Sequence, residues 1–247
     1  MRVLFTLVLM AATAAVFAQN QKPAAKPATG TPATTDTKPQ QPSAQNVLVE
    51  HFYRKYLTAA RWNDDQVAKD ALYDLIIQNP NNDSLIFSLA YYYHENNKPA
   101  SALLVTNDLL QRDPKNLTYL ELAAVSSENL GVLDRALQYY ESLYLLTNNN
   151  GTLYKIAFLQ FDLKRFNESS TNADILMGKA ESDTLKVVFN DAEGKPKEYP
   201  MKASLLNLKG MVAQEQGNKE DAKKHYEGAL ALAADFIPAK QNLAKLK

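Results

Sequence analysis

DSLIFSLAYYYHENNKPASALLVTNDLLQRDPKN, residues 83–116, is the stretch whose reading decides the fold. Ile86, Leu89, Ala90 and Tyr93 recur at the three- and four-residue spacing of one helix face, so a first helix is expected. Asn96, Asn97, Lys98 and Pro99 make a turn, with Pro99 placed to open a second helix, where its missing N–H costs nothing. That helix presents Ala102, Leu103, Thr106, Leu109 and Leu110 on one side. Asp113–Pro114 ends it, since proline lacks the donor and drives the residue before it out of the helical region. The stretch is a helical hairpin with an apolar face that it cannot bury alone.

The same register returns on both sides. Pro80 and Pro114 stand 34 residues apart and Asn148 another 34 on; Ala68, Ala102 and Ala136 keep the interval, as do the turn residues Asn63, Asn97 and Gly131. Units are expected near 49–82, 83–116, 117–150, 151–181 and 203–236, with a capping helix over 237–247. The first is degenerate in its first helix. The fourth fits only with a turn one residue shorter, because Phe166 arrives one place early. A helical pattern restarting at a fixed step predicts an all-α fold: a right-handed superhelical solenoid of about five hairpins with an open groove.

Between units four and five the phase breaks at SDTLKVVFNDAEGKPKEYP, residues 182–200. Leu185, Val187 and Phe189 alternate with Lys186, Val188 and Asn190, a strand period. Residues 190–194 make a turn and 197–200 pair back, so a small β-hairpin insert is expected. An isolated hairpin is marginal in water. Its apolar side should therefore dock on units four and five, leaving a projecting tip over 191–197.

The first residues, MRVLFTLVLMAATAAVFAQ, carry one basic residue, a short apolar run and small residues at Val16 and Ala18, the pattern of a secretory signal over 1–18 cleaved before Gln19. The apolar run is shorter than the roughly 20 residues of a membrane span. Residues 19–45 contain five prolines and no Val, Leu, Ile or aromatic side chain, so nothing offsets the entropy of ordering them, and a disordered linker is expected. The chain has no cysteine, which excludes a lipobox anchor, disulfides and thiolate metal sites. The expected location is periplasmic or secreted. Of 27 basic and 27 acidic residues, setting aside Arg2, Lys22, Lys26 and Lys38 against Asp36 leaves 23 basic and 26 acidic in residues 46–247. No basic stripe marks a nucleic-acid partner.

These registers resemble the tetratricopeptide repeat, whose pattern runs W-x2-L-G-x2-Y, then A-x3-F, then P. The match is best in LLNLKGMVAQEQGNKEDAKKHYEGALALA, where Leu206, Gly210, Gly217, Ala222, Tyr226 and Ala229 stand at the repeat's signature positions. Lys209 replaces the usual leucine and Ala234 the usual proline. The resemblance covers residues 46–247 and implies that the first helix of each unit lines a concave groove through its second, fifth, ninth, twelfth and thirteenth positions. Those positions hold Phe87, Tyr91, His94 and Glu95; then Glu121, Val125 and Glu128; then Lys155, Leu159 and Asp162; then Asn207, Met211 and Gln214. Repeats of this kind that grip a C-terminal carboxylate use Lys, Asn and further basic residues at fixed places. Here Tyr53, Leu57, Ser88, Thr118 and Leu122 occupy them, so that clamp is absent.

Catalytic patterns are missing. His51, His94 and His225 fall in different units, and no HExxH, phosphate loop or GxSxG occurs. No cofactor and no metal site is expected. Asp83-Ser84-Leu85 and Asp183-Thr184-Leu185 resemble tripeptides that some Gram-negative bacteria O-glycosylate. The expected function is a non-enzymatic scaffold of the cell envelope, holding a protein or peptide partner in the concave groove. The alternative is a glycan-binding periplasmic protein that stacks sugars on Phe87 and Tyr91.

Overall fold

The structure is a computed structural model that describes residues 44–246. The expected signal and nearly all of the expected linker, residues 1–43, lie outside the described residues. Eight helices form four antiparallel pairs: α1 (Ala44–Arg61) with α2 (Asp65–Gln78), α3 (Asp83–Glu95) with α4 (Pro99–Arg112), α5 (Leu117–Asn129) with α6 (Leu133–Thr147), and α7 (Asn150–Asp162) with α8 (Phe166–Gly178). A 3-10 turn at Ala180–Asp183 leads into an antiparallel hairpin, β1 (Lys186–Asn190) and β2 (Pro196–Pro200). A fifth pair, α9 (Met201–Glu215) and α10 (Lys219–Leu232), and a short α11 (Ile237–Lys245) complete the stack. The expected solenoid of helical hairpins, with its small β insert, is the fold.

The turns explain the period. Within each unit, one residue of the three-residue turn is left-handed: Asn63 at φ 57°, Asn97 at 52°, Gly131 at 73°, Lys164 at 60° and Gly217 at 81°. Asparagine and glycine tolerate that conformation, and so they recur there. At the next boundary asparagine caps the incoming helix: the side chains of Asn82, Asn116 and Asn149 accept N–H bonds from Ser84, Tyr119 and Thr152 at 3.1, 3.3 and 3.0 Å. Close helix approach comes from one small residue per first helix, with Ala90, Ala124, Ala157 and Gly210 all buried in equivalent places. At Gly210 the fit is tightest, since a Cβ there would lie 2.4 Å from the Tyr226 ring.

The fourth unit corrects the sequence reading. Its internal turn has the ordinary length; the missing residue is in the link before it. Asp113–Asn116 joins α4 to α5, whereas only Asn148 and Asn149 join α6 to α7. Helix α6 runs one residue longer than α4, and left-handed Asn148, φ 49°, reverses the chain at once. The unit is thus displaced by one residue along its whole first helix.

The hairpin docks by the face expected. Leu185 and Val187 pack against the cluster that includes Leu153, Met201, Leu205 and Leu208. Phe189 reaches further, lying edge-on to Phe236 at 5.0 Å beside Tyr199 and Ala203. It therefore covers the fifth unit and the start of α11, not the fourth unit. The tip is exposed, but Lys197 is not free: its ammonium pairs with Asp235 in the α10–α11 link, which holds its charge on and pulls the Asp235 carboxyl down. Lys209, the departure from the repeat pattern, reaches Asp174 on α8 at 2.5 Å and so ties units four and five.

Candidate binding groove

The first helices α3, α5 and α7 run side by side, and their shared face is built from equivalent positions. With the left-handed turn as origin, Phe87 and Tyr91 on α3 match Glu121 and Val125 on α5, and His94 matches Glu128. On α1 the same places hold Tyr53 and Leu57, and both are about half exposed, at 51% and 47%. Sequence reading placed these two at clamp positions and passed over them as groove residues, although their register was the signal.

The α3 end is an aromatic ledge. Ring centroids of Phe87 and Tyr91 are 6.4 Å apart, those of Tyr91 and His94 6.2 Å, and Phe87 meets Tyr119 of α5 at 5.3 Å. Tyr91 remains 52% exposed. The Glu95 carboxylate beside it, together with burial and a hydrogen bond to Glu95, raises the Tyr91 hydroxyl above its ordinary range.

The middle of the face is charged. Lys155 of α7 donates to both oxygens of Glu128 on α5, at 3.1 and 3.3 Å, and the Tyr140 hydroxyl donates to Glu128 at 3.1 Å. Burial, then Glu128, pushes the Tyr140 hydroxyl up. The fifth unit repeats the bond between equivalent residues, with the Tyr226 hydroxyl donating to Gln214 at 3.0 Å. Asp162 lies at the exposed edge of the network; burial first and the charge of Glu128 second raise its carboxyl above the usual range. Glu121 is exposed on the same side of α5, two turns before Glu128.

Three expected groove residues are elsewhere. Leu159 is 4% exposed and belongs to the core cluster. The one-residue displacement of the fourth unit puts it in register with buried Ser126, and the places equivalent to Glu121, Val125 and Glu128 hold Tyr154, Phe158 and Phe161. Tyr154 is itself buried and shares a 2.7 Å hydrogen bond with Ser204 of α9. Asn207, also 4% exposed, lies beneath α11: it accepts from Asn242 at 3.0 Å and donates to the Met211 sulfur at 3.5 Å. Met211 packs against the cluster that Leu243 and Leu246 join. The capping helix thus closes this end. Phe87, Tyr91, His94, Glu121, Val125, Glu128, Lys155 and Asp162 fall on α3, α5 and α7.

The histidines lie on α1, α3 and α10, and among the described residues no group of three or more His, Asp and Glu side chains could hold a metal. Thr184 is exposed, its hydroxyl donating to the Glu181 carbonyl at 3.0 Å; Ser84 is exposed in the first turn of α3.

The fold is that of a tetratricopeptide-repeat solenoid. The solved structures that share it include YrrB, described as a TPR protein with an unusual peptide-binding site. That likeness has a TM-score of 0.60 at 12% identity and covers 82% of this chain and 98% of that one. A crystal structure of MamA has a TM-score of 0.56 at 11% identity, covering 81% and 96%. No protein-family model and no curated protein matches the sequence. Among the described residues no helix is long and apolar enough to cross a membrane.

Proposed function

We propose that the chain is a non-enzymatic adaptor of the cell envelope that holds an extended segment of another protein along the α3–α5–α7 face. The observation that carries this reading is the exposed aromatic ledge of Phe87, Tyr91 and His94. An aromatic side chain left half in water beside others is a ready anchor for a partner, because it offers a large rigid surface at low entropic cost. The peptide-binding site in the description of YrrB supports a segment as the occupant. The signal-like residues 1–18 support export, and the proline-rich 19–45 would give the domain reach.

Tyr91→Ala tests the reading. Capture of an envelope protein by the parent, lost on this substitution while the helical circular dichroism is kept, is the expected result. Retained capture by the variant overturns the groove as the site. Calorimetric binding of polysaccharides that depends on Tyr91, without any protein capture, would replace the protein partner by a glycan. Fractionation of cells expressing the chain checks export, and protein found only in the cytoplasm sinks the envelope assignment.

A further inference from the structure

The proposed face is one-sided in charge as well as aromatic. Glu95, Glu121 and Asp162 are exposed along α3, α5 and α7, and half-buried Glu128 lies between the last two. Lys155 answers only Glu128, to which both of its hydrogen bonds go. Among the described residues, Glu95, Glu121 and Asp162 form no ion pair. Burial first, and the charge of Glu128 second, raise the Asp162 carboxyl above the usual range. Exposed apolar and aromatic surface lies at Tyr53, Leu57 and Tyr91, with Phe87 partly exposed beside Tyr91.

We infer that the groove's partner is an extended protein segment in which an apolar or aromatic side chain is followed at a short interval by lysine or arginine. The apolar side chain rests on the Phe87–Tyr91 ledge, and the cations meet Glu121 and Asp162. Charge complementarity selects this occupant. An acidic segment would add like charge to a face already in excess, and an uncharged one would leave the acids desolvated without partners. The chain's own residues 19–45 do not fit, because they hold Lys22, Lys26 and Lys38 but no apolar anchor of the required size. The inference rests on the groove reading above.

A displayed library of random linear peptides, selected on the whole chain, tests it. Groove binders are those lost on Tyr91→Ala. They should carry more Lys and Arg than Asp and Glu. Each should bind the double variant Glu121→Lys, Asp162→Lys about tenfold more weakly, since both side chains are exposed and their reversal leaves the helices intact. Groove binders with no cationic bias, or with affinity unchanged by the reversal, overturn the inference and leave the groove standing. A selection that yields no Tyr91-dependent peptide removes the groove reading and this inference together.

Discussion

Helix α1 and helix α9 are both first helices of a repeat, yet α1 buries one residue, Ala59, and α9 buries nine. The difference comes from what stands beyond each. Helix α9 packs against unit four, α10, the hairpin and α11. Helix α1 rests on α2, pinned by Lys55 to Asp74 at 3.2 Å, and shows Val47, Leu48, Tyr53 and Leu57 to water. Tyr56 stands where Ala90, Ala124, Ala157 and Gly210 stand in later units, so the small-residue rule lapses where, among the described residues, no earlier unit is packed against it. A solenoid is a sum of neighbour contacts, and its stability follows the number of neighbours. Amide exchange should be fastest in α1 and slowest in α5 to α9.

The largest effect should come from making the sealed end resemble the open one. Replacing residues 186–199 by a short Gly-Ser linker removes Phe189 and Tyr199 from the cluster around Phe236. Burial of two such rings contributes about 4 kcal/mol together. Urea unfolding should register a loss of that order, and exchange in α10 and α11 should quicken while α1 is unchanged. Stability equal to the parent's would mean that the hairpin is not the cover its contacts imply.

Ala136→Leu comes next. Ala136 is fully buried where α6 meets α5, and the added side chain should cost about 2 kcal/mol by overpacking. Leu57→Ala, at the open end, should cost well under that, about 0.5 kcal/mol, because nearly half of the side chain already lies in water. Equal losses in the two variants, measured by thermal unfolding, would erase the contrast between interior and end.

The same contrast governs what could be read from the sequence. Turns at Asn63, Asn97 and Gly131 were legible because a left-handed residue restricts the side chain, and the restriction leaves a mark. Lys164 adopts φ 60° in its turn although lysine is not a residue type that favours that conformation, so the fourth unit's displacement had no mark there. It did have one at its caps: Asn82 and Asn116 are 34 apart, Asn116 and Asn149 only 33. Missing that step put Leu159 in the groove and Phe158 outside the groove list. The ledge on α3 was legible since Tyr91 is aromatic on a register that does not face the core. The covering of Asn207 was not, because it depends on where α11 lies across α9, which a local pattern does not encode.

The smallest effect sharpens the charged middle of the molecule. Burial and the neighbouring Glu128 raise the Asp162 carboxyl above its ordinary value. A carboxyl whose pKa is higher folded than unfolded binds its proton more tightly in the native state, so its ionisation lowers stability as pH rises through the folded value. At neutral pH Asp162 therefore detracts from stability, and the deficit disappears as pH falls through its folded pKa. Asp162→Asn removes the charge and keeps the shape. It should raise the melting temperature at neutral pH, by at most about 1 kcal/mol in stability for so exposed an edge, and the gain should shrink toward acid pH. Other carboxylates titrate in the same range, so the quantity to follow is the difference between variant and parent at each pH. A difference that is constant with pH, or that grows on acidification, would show that Glu128 and burial do not press on Asp162, and would weaken the case for an unanswered acidic groove.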